Sequence, residues 1–152
     1  MVQFVKGNLL ESDCDYICHQ VNCRGKMNSG IAKQIREKWP IVYDEYAKVA
    51  SFDQHGHIQL VHINNAYCVI NMFAQRYYGY DGRRYTSYDA FWTCLGEIKN
   101  FVPKGSSIGF PKKIGCDRGG ANWPVILKMI TEVLGVEYKV FIYYLEDKVG
   151  KN

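Results

Sequence analysis

The stretch Tyr16-Ile-Cys-His-Gln-Val-Asn-Cys-Arg-Gly-Lys-Met-Asn-Ser-Gly-Ile-Ala32 decides the fold. Its first six residues, Tyr16 to Val21, read as a strand that ends at Asn22. A loop rich in small and polar residues follows. Ser29-Gly30 then opens a helix whose apolar positions Ile31, Ile35 and Trp39 lie four apart, one stripe on a 3.6-residue period. Strand, glycine-containing loop and helix in that order form the start of a βα unit, and such units build parallel sheets.

The same grammar extends in both directions. Gln3 to Val5 is a short strand running into Gly7-Asn8. Pro40 kinks or restarts the first helix, and Val42, Tyr46 and Val49 carry a helical pattern to about Ser51. The segments 57–63 and 66–73 are strand-like on either side of Asn64-Asn65, so they read as a hairpin. Thr86 or Ser87 caps a helix with the stripe Ala90, Phe91, Cys94, Leu95 and Ile98. Ser107 to Phe110 is a buried strand that runs through Pro111 into a second glycine loop, 115–122. Asn122 and Pro124 start a helix striped by Val125, Ile126, Met129, Ile130, Val133 and Leu134, and Tyr138 to Leu145 closes the pattern as a strand. The expected fold is a three-layer α/β/α sandwich on a mixed, mostly parallel sheet, one domain over residues 1–152.

Composition excludes other classes. A length of 152 residues, 47% hydrophobic and 22% charged, is ordinary for a globular domain. The net charge of +4 admits an anionic ligand but is too dispersed for duplex binding. No apolar run nears the roughly 20 residues of a membrane span, and no secretion signal opens the chain, so a cytoplasmic monomer is expected. The six cysteines, at 14, 18, 23, 68, 94 and 116, lack paired zinc spacing and read as reduced, buried thiols.

In an open α/β sheet, ligands bind where strand ends meet helix N-termini. Two loops qualify, 22–30 and 115–122. Each has glycines that allow close approach of backbone N–H groups at the positive end of a helix, and two such nests suit a diphosphate. Neither is a P-loop or a dinucleotide fingerprint. Asn22 is either a turn former or a ligand for ribose hydroxyls, and His19 is either a core histidine or a cleft residue. Asp117, inside the second loop, is either a base with a raised pKa beside phosphate or a solvent-facing residue. The segment 75–85 holds Arg76, Arg83 and Arg84 among Tyr77, Tyr78, Tyr80 and Tyr85, a composition for stacking on a base and meeting phosphate. That composition also keeps open a single-stranded nucleic-acid module.

Taken together, His19 to Ala32 and Trp39-Pro40 resemble the first ligand loop of macro domains. The similar branch holds ADP-ribose-1″-phosphate phosphatases and terminal ADP-ribose glycohydrolases, and His19, Asn22, Cys23, Gly25, Gly30, Ile31 and Ala32 match its pattern in register. Pro111 to Trp123 is similar to the family's second loop and Val140 to Leu145 to its last strand. The resemblance implies a hydrolase acting at the distal ribose of ADP-ribose or a derivative, including an ADP-ribosylated macromolecule, with no cofactor or metal. It places Asn8, Leu9 and Tyr143 at the adenosine. Ser29, Gly30, Ile31, Gly115, Cys116, Arg118, Gly119, Gly120, Ala121 and Asn122 would hold the diphosphate, and Asn22, Lys26, Met27 and Asn28 the distal ribose. His19, Asn22 and Asp117 are the candidate catalytic groups. Asn8 stands where many members carry aspartate, Asn28 replaces a glycine, and Gln75 falls nearest the catalytic lysine of the glycohydrolase branch. With His19 matched and that lysine missing, the residues lean towards the phosphatase. The alternative is a reader that binds ADP-ribose without turnover.

Overall fold

Six strands form one sheet in the order β1-β6-β5-β2-β4-β3. The computed structural model describes residues 1–145; the expected domain's last residues, 146–152, lie outside them. The strands are β1 (Val2–Lys6), β2 (Tyr16–Asn22), β3 (Ile58–His62), β4 (Cys68–Gln75), β5 (Ser107–Pro111) and β6 (Lys139–Tyr144). Every neighbouring pair is parallel except β3 with β4, the expected hairpin. The helices are α1 (Gly30–Lys38), α2 (Pro40–Val49), α3 (Tyr88–Phe101) and α4 (Trp123–Leu134). None is long and apolar enough to cross a membrane among the described residues.

Pro40 restarts the helix rather than kinking it. Trp39 leaves helical geometry at φ −132° and ψ 82°, as the ring of a following proline favours, and Pro40 begins α2 at its first position. Ser87, not Thr86, caps α3 by accepting from the Ala90 N–H. Thr86 is buried beside the second glycine loop. The α3 stripe is buried throughout, whereas on α4 the buried residues are Ile126, Ile130 and Leu134, and Val125 is exposed.

The sheet separates two apolar cores. On one face, Ile17, Val21, Val69 and Phe73 pack with Ile35, Val42 and Tyr46 of α1 and α2. On the other, Cys18, Ile70 and Met72 pack with Phe91 and Leu95 of α3 and Ile126 and Ile130 of α4. The alternation of strand side chains produces this split: neighbours along β2 and β4 serve opposite layers.

That division positions the site. The strands β5, β2 and β4 are adjacent and parallel, so their carboxyl ends lie together. The helix after β2 covers one face and the helix after β5 covers the other, which makes β2/β5 a topological switch point. Only Tyr16–Ile108 and Ile17–Gly109 pair across β2 and β5. Beyond them the loops part and leave a crevice.

Candidate functional site

A cleft of ≈ 360 Å³ occupies this crevice. Its walls come from three sources: the loop after β2, the loop after β5 and the segment after β4. The segment 75–86 straps the two loops together. At its start, the carbonyls of Gln75 and Arg76 accept from the Cys23 N–H; at its end, the N–H groups of Tyr85 and Thr86 donate to the Gly119 carbonyl. Tyr78, Gly79 and Tyr80 of this strap line the cleft, and the Arg118 guanidinium lies 4.0 Å from the centre of the Tyr80 ring.

The first loop is organised by Asn22. Its Oδ1 accepts from the Arg24 and Lys26 N–H groups and from the Tyr46 hydroxyl, and its Nδ2 donates to the Lys26 carbonyl. Tyr46 also donates to the Asn22 carbonyl at 2.6 Å. The sequence left Asn22 between turn former and ribose ligand. The structure makes it the turn former at the cleft wall, with its acceptor oxygen already occupied. Met27, Asn28 and Ser29 continue the wall into α1, together with Gly30, Ile31 and Ala32. Among the described residues, no intramolecular acceptor meets the backbone N–H of any of these six. Ser29 makes no capping bond, in contrast to Ser87 on α3 and Asn122 on α4. The amino end of α1 therefore presents uncapped donors and a positive dipole end to the cleft.

The second loop shows the same economy, residue by residue. Cys116, Gly120 and Ala121 spend their N–H groups inside the loop, on Lys113 O, Asp117 O and Gly115 O, and Asn122 donates to the Tyr88 hydroxyl of α3. Gly115, Asp117, Arg118 and Gly119 have no such acceptor among the described residues, and these four line the cleft. Of the expected diphosphate ligands, Ser29, Gly30, Ile31, Gly115, Arg118 and Gly119 are thus brought together. Cys116, Gly120, Ala121 and Asn122 are corrected to loop braces, because their donors are consumed. Gly115 has φ +74°, and a Cβ there would stand 2.8 Å from Gln20 Oε1 and 3.1 Å from Thr86 Oγ1.

Those two side chains were missed in the sequence. Thr86 Oγ1 donates to the Gly115 carbonyl at 2.7 Å and accepts from Gln20 Nε2 at 2.8 Å; Gln20 Nε2 also donates to Gln75 Oε1 at 2.6 Å. Gln75, at the end of β4, completes the bridge by donating to the Tyr77 carbonyl. This polar chain fixes the height of the second loop against the sheet. No local pattern signals it, since its members lie on β2, on β4, after the strap and in the second loop.

His19 is corrected outright. It is fully buried, on the face of β2 shared with Ile17 and Val21, and does not line the cleft. Its Nε2 meets Asn71 Oδ1 on β4; Asn71 Nδ2 donates to Gln59, and Gln59 donates to the Glu45 carbonyl of α2. Burial pushes its pKa down to about 4, against a smaller upward pull from Asn71, so it is neutral near pH 7. Asp117 is exposed and lines the cleft. Among the described residues it is the only carboxylate on the wall, beside Lys26, Lys112 and Lys113.

Of the residues expected at the adenosine, Leu9 has its side chain in the core, packed beside Gly109. Asn8 caps the 3-10 turn Leu9–Glu11, its side chain accepting from the Leu10 N–H at 3.0 Å. Tyr143 is half-buried against the α1/α2 core. None of the three lines the enclosed part of the cleft. The cysteines are all unbonded, five of them buried. Burial, and next the Asp117 charge, push the half-buried Cys116 up to about 11, so the thiol nearest the cleft stays protonated. No group of three or more histidine, cysteine or acidic side chains arranged for a metal occurs among the described residues.

No family model matches the chain. It is similar to a DNA ADP-ribosyl glycohydrolase of Thermus aquaticus, at 26% identity over 93% of this chain and 41% of the relative. The chain thus spans about two fifths of that curated relative. Among solved structures, it superposes on the macrodomain of Thermus aquaticus DarG with a TM-score of 0.78 and 24% identity, covering 95% of this chain and 98% of that one. Thermosipho africanus DarTG in complex with ADP-ribose gives a TM-score of 0.76 and 19% identity, over 99% of this chain and 43% of that one. With its strand order, its helix layers and its cleft at the β2/β5 switch point, the chain is a macro domain in its fold.

Proposed function

We propose that the cleft binds ADP-ribose and that the protein is a hydrolase releasing ADP-ribose from a modified target. One observation carries this reading. Two sets of backbone N–H groups that meet no acceptor among the described residues, 27–32 and Gly115 with Asp117 to Gly119, belong to the walls of one cleft. Opposed donors at two loops fit a diphosphate, which spreads its charge over several oxygens. The relative's name, a DNA ADP-ribosyl glycohydrolase, supports release from a modified target. The phosphatase lean has two grounds, the match at His19, which is buried away from the cleft, and the missing lysine, whose place Gln75 takes.

In this reading the distal ribose lies by Asn22 and Lys26 to Asn28. The N–H groups hold the diphosphate and so fix C1″ relative to Asp117. A water oxygen bonds C1″ as the bond to the leaving atom breaks; Asp117 takes the water proton, and a proton returns to the leaving atom. A covalent lysine route is unsupported, because Gln75 occupies that place and both ends of its amide are hydrogen-bonded. That sparse set of proton-transfer groups also favours the second reading, a module that binds ADP-ribose without turnover.

Calorimetric titration with ADP-ribose, ADP and AMP tests the cleft; ADP-ribose should bind much more tightly than AMP. Release from an ADP-ribosylated oligonucleotide and phosphate release from ADP-ribose-1″-phosphate then separate the leaving groups. Asp117→Asn should bind ADP-ribose yet lose about 100-fold or more in turnover. Binding with no turnover of either substrate establishes the reader.

A further inference from the structure

Residues 22–26 of the first loop are fixed by the Asn22 side chain, which takes the N–H groups of Arg24 and Lys26. Beyond Lys26 that hold ends. Among the described residues, no backbone hydrogen bond involves Met27 or Asn28. Met27 is anchored by its buried side chain. Asn28, which stands where the resemblance expects glycine, is anchored from outside the cleft: Arg36 Nη1, on α1, donates to its Oδ1 at 3.0 Å. The Arg36 guanidinium in turn lies 3.7 Å from the centre of the Tyr43 ring on α2. The Tyr43 hydroxyl donates to the Gly25 carbonyl at 3.4 Å, and its ring centre is 6.2 Å from that of Tyr46, the residue that holds Asn22. Met27 and Asn28 line both the cleft and a second groove, which contains Arg36, Pro40, Tyr43 and Asp44. They form the partition between the two.

We propose that Arg36, which lies outside the cleft, is a positioning residue for the distal ribose and acts through Asn28. The inference rests on the reading of the cleft as an ADP-ribose site. A planar guanidinium can lie on the Tyr43 ring and donate to Asn28 at the same time, which a lysine ammonium cannot reproduce. The brace therefore ties residue 28 to α1 and α2, the two helices behind the wall. Without it, Asn28 keeps only its peptide neighbours, and the freedom it gains must be removed again when a ligand binds. The cost falls unevenly along the ligand. ADP ends at the diphosphate, for which Gly30 to Ala32 and the second loop supply donors that do not depend on Asn28. The distal ribose, by contrast, lies against residues 26–28.

Calorimetric titration of ADP-ribose and of ADP, side by side, tests this. Arg36→Ala and Asn28→Ala should each weaken ADP-ribose about 3- to 10-fold and ADP by less than about 2-fold. The double variant should bind no more weakly than either single one, because both substitutions remove the same bond. Arg36→Lys should not restore the affinity. Thermal unfolding identifies any variant that has lost its fold, and Tyr43→Phe, which keeps the ring under Arg36, should bind ADP-ribose as the wild type does. Unchanged ADP-ribose affinity in Arg36→Ala, an equal loss for ADP, or losses that multiply in the double variant would overturn the brace while leaving the cleft intact. A wild type that fails to bind ADP-ribose would instead refute the reading of the cleft.

Discussion

His19 offers a test that separates a core histidine from a catalytic one. In the unfolded chain it titrates near 6.5; in the fold, burial lowers its pKa to about 4. Between those values the unfolded state binds more protons than the folded state, so stability rises with pH across that interval. The contribution is fully present above pH 6.5 and is lost as pH falls towards 4. At about 1.4 kcal/mol per pKa unit, the shift of roughly 2.5 units corresponds to about 3 kcal/mol. His55 is also depressed, mainly by burial, and Asp81 and Glu137 are lowered by hydrogen bonds and nearby cations, so the wild-type profile alone is ambiguous. The measurement is therefore a difference. Urea unfolding of the wild type and of His19→Gln is compared at intervals from pH 7 to pH 4. The variant should be less stable at pH 7, having disturbed the Asn71–Gln59 chain. The gap should then shrink by about 3 kcal/mol on acidification, because only the wild type must leave a buried imidazole unprotonated. Parallel profiles would refute the argument. ADP-ribose affinity and turnover of the folded variant should stay near wild type, and a turnover loss with binding intact would return His19 to the reaction.

Ser29→Asp should split stability from binding: it caps α1 and raises stability by about 0.5–2 kcal/mol in thermal unfolding, yet weakens ADP-ribose at least 10-fold by placing a carboxylate among the anion donors. Gly119→Ala puts a Cβ 2.4 Å from both Gly115 O and Thr86 Oγ1, so the second loop must move; calorimetry should show ADP-ribose binding lost, and unchanged affinity would contradict the assigned wall. Thr86→Val removes the bond to the Gly115 carbonyl and one of the two acceptors of the Gln20 amide, leaving Gln75 Oε1 as the other, which should cost about 1–3 kcal/mol in urea unfolding and also weaken ADP-ribose.

Much of the fold is legible in local pattern, and the reason lies in the period. The strand-like run 16–21 and the spacing of Ile31, Ile35 and Trp39 depend on residues a few positions apart, which a linear reading samples fully. The two glycine loops are legible for the same reason, because a glycine loop between a strand and a helix creates an N-terminal donor set wherever it occurs. Hydrogen-bond commitments are not legible in this way. Asn22 owes its role to Tyr46, 24 positions on, and His19 owes its neutral burial to Asn71, 52 positions on. In both cases the partner that occupies the side-chain atom comes from another strand or helix.

The sequence by itself determined the βα order, the hairpin and the two glycine loops between strand and helix, since each is encoded over one or two turns of chain. The tertiary structure alone decided which donors remain for a ligand. It spent the N–H groups of Cys116, Gly120 and Ala121 within the second loop and that of Asn122 on Tyr88 of α3, and left those of Gly115 and Asp117 to Gly119 at the cleft. It also gathered Gln20, Gln75 and Thr86 under that loop and set Phe52 against Tyr77 outside it. Satisfaction of a polar atom depends on what the packed sheet brings within about 3 Å, and only the folded chain sets that distance.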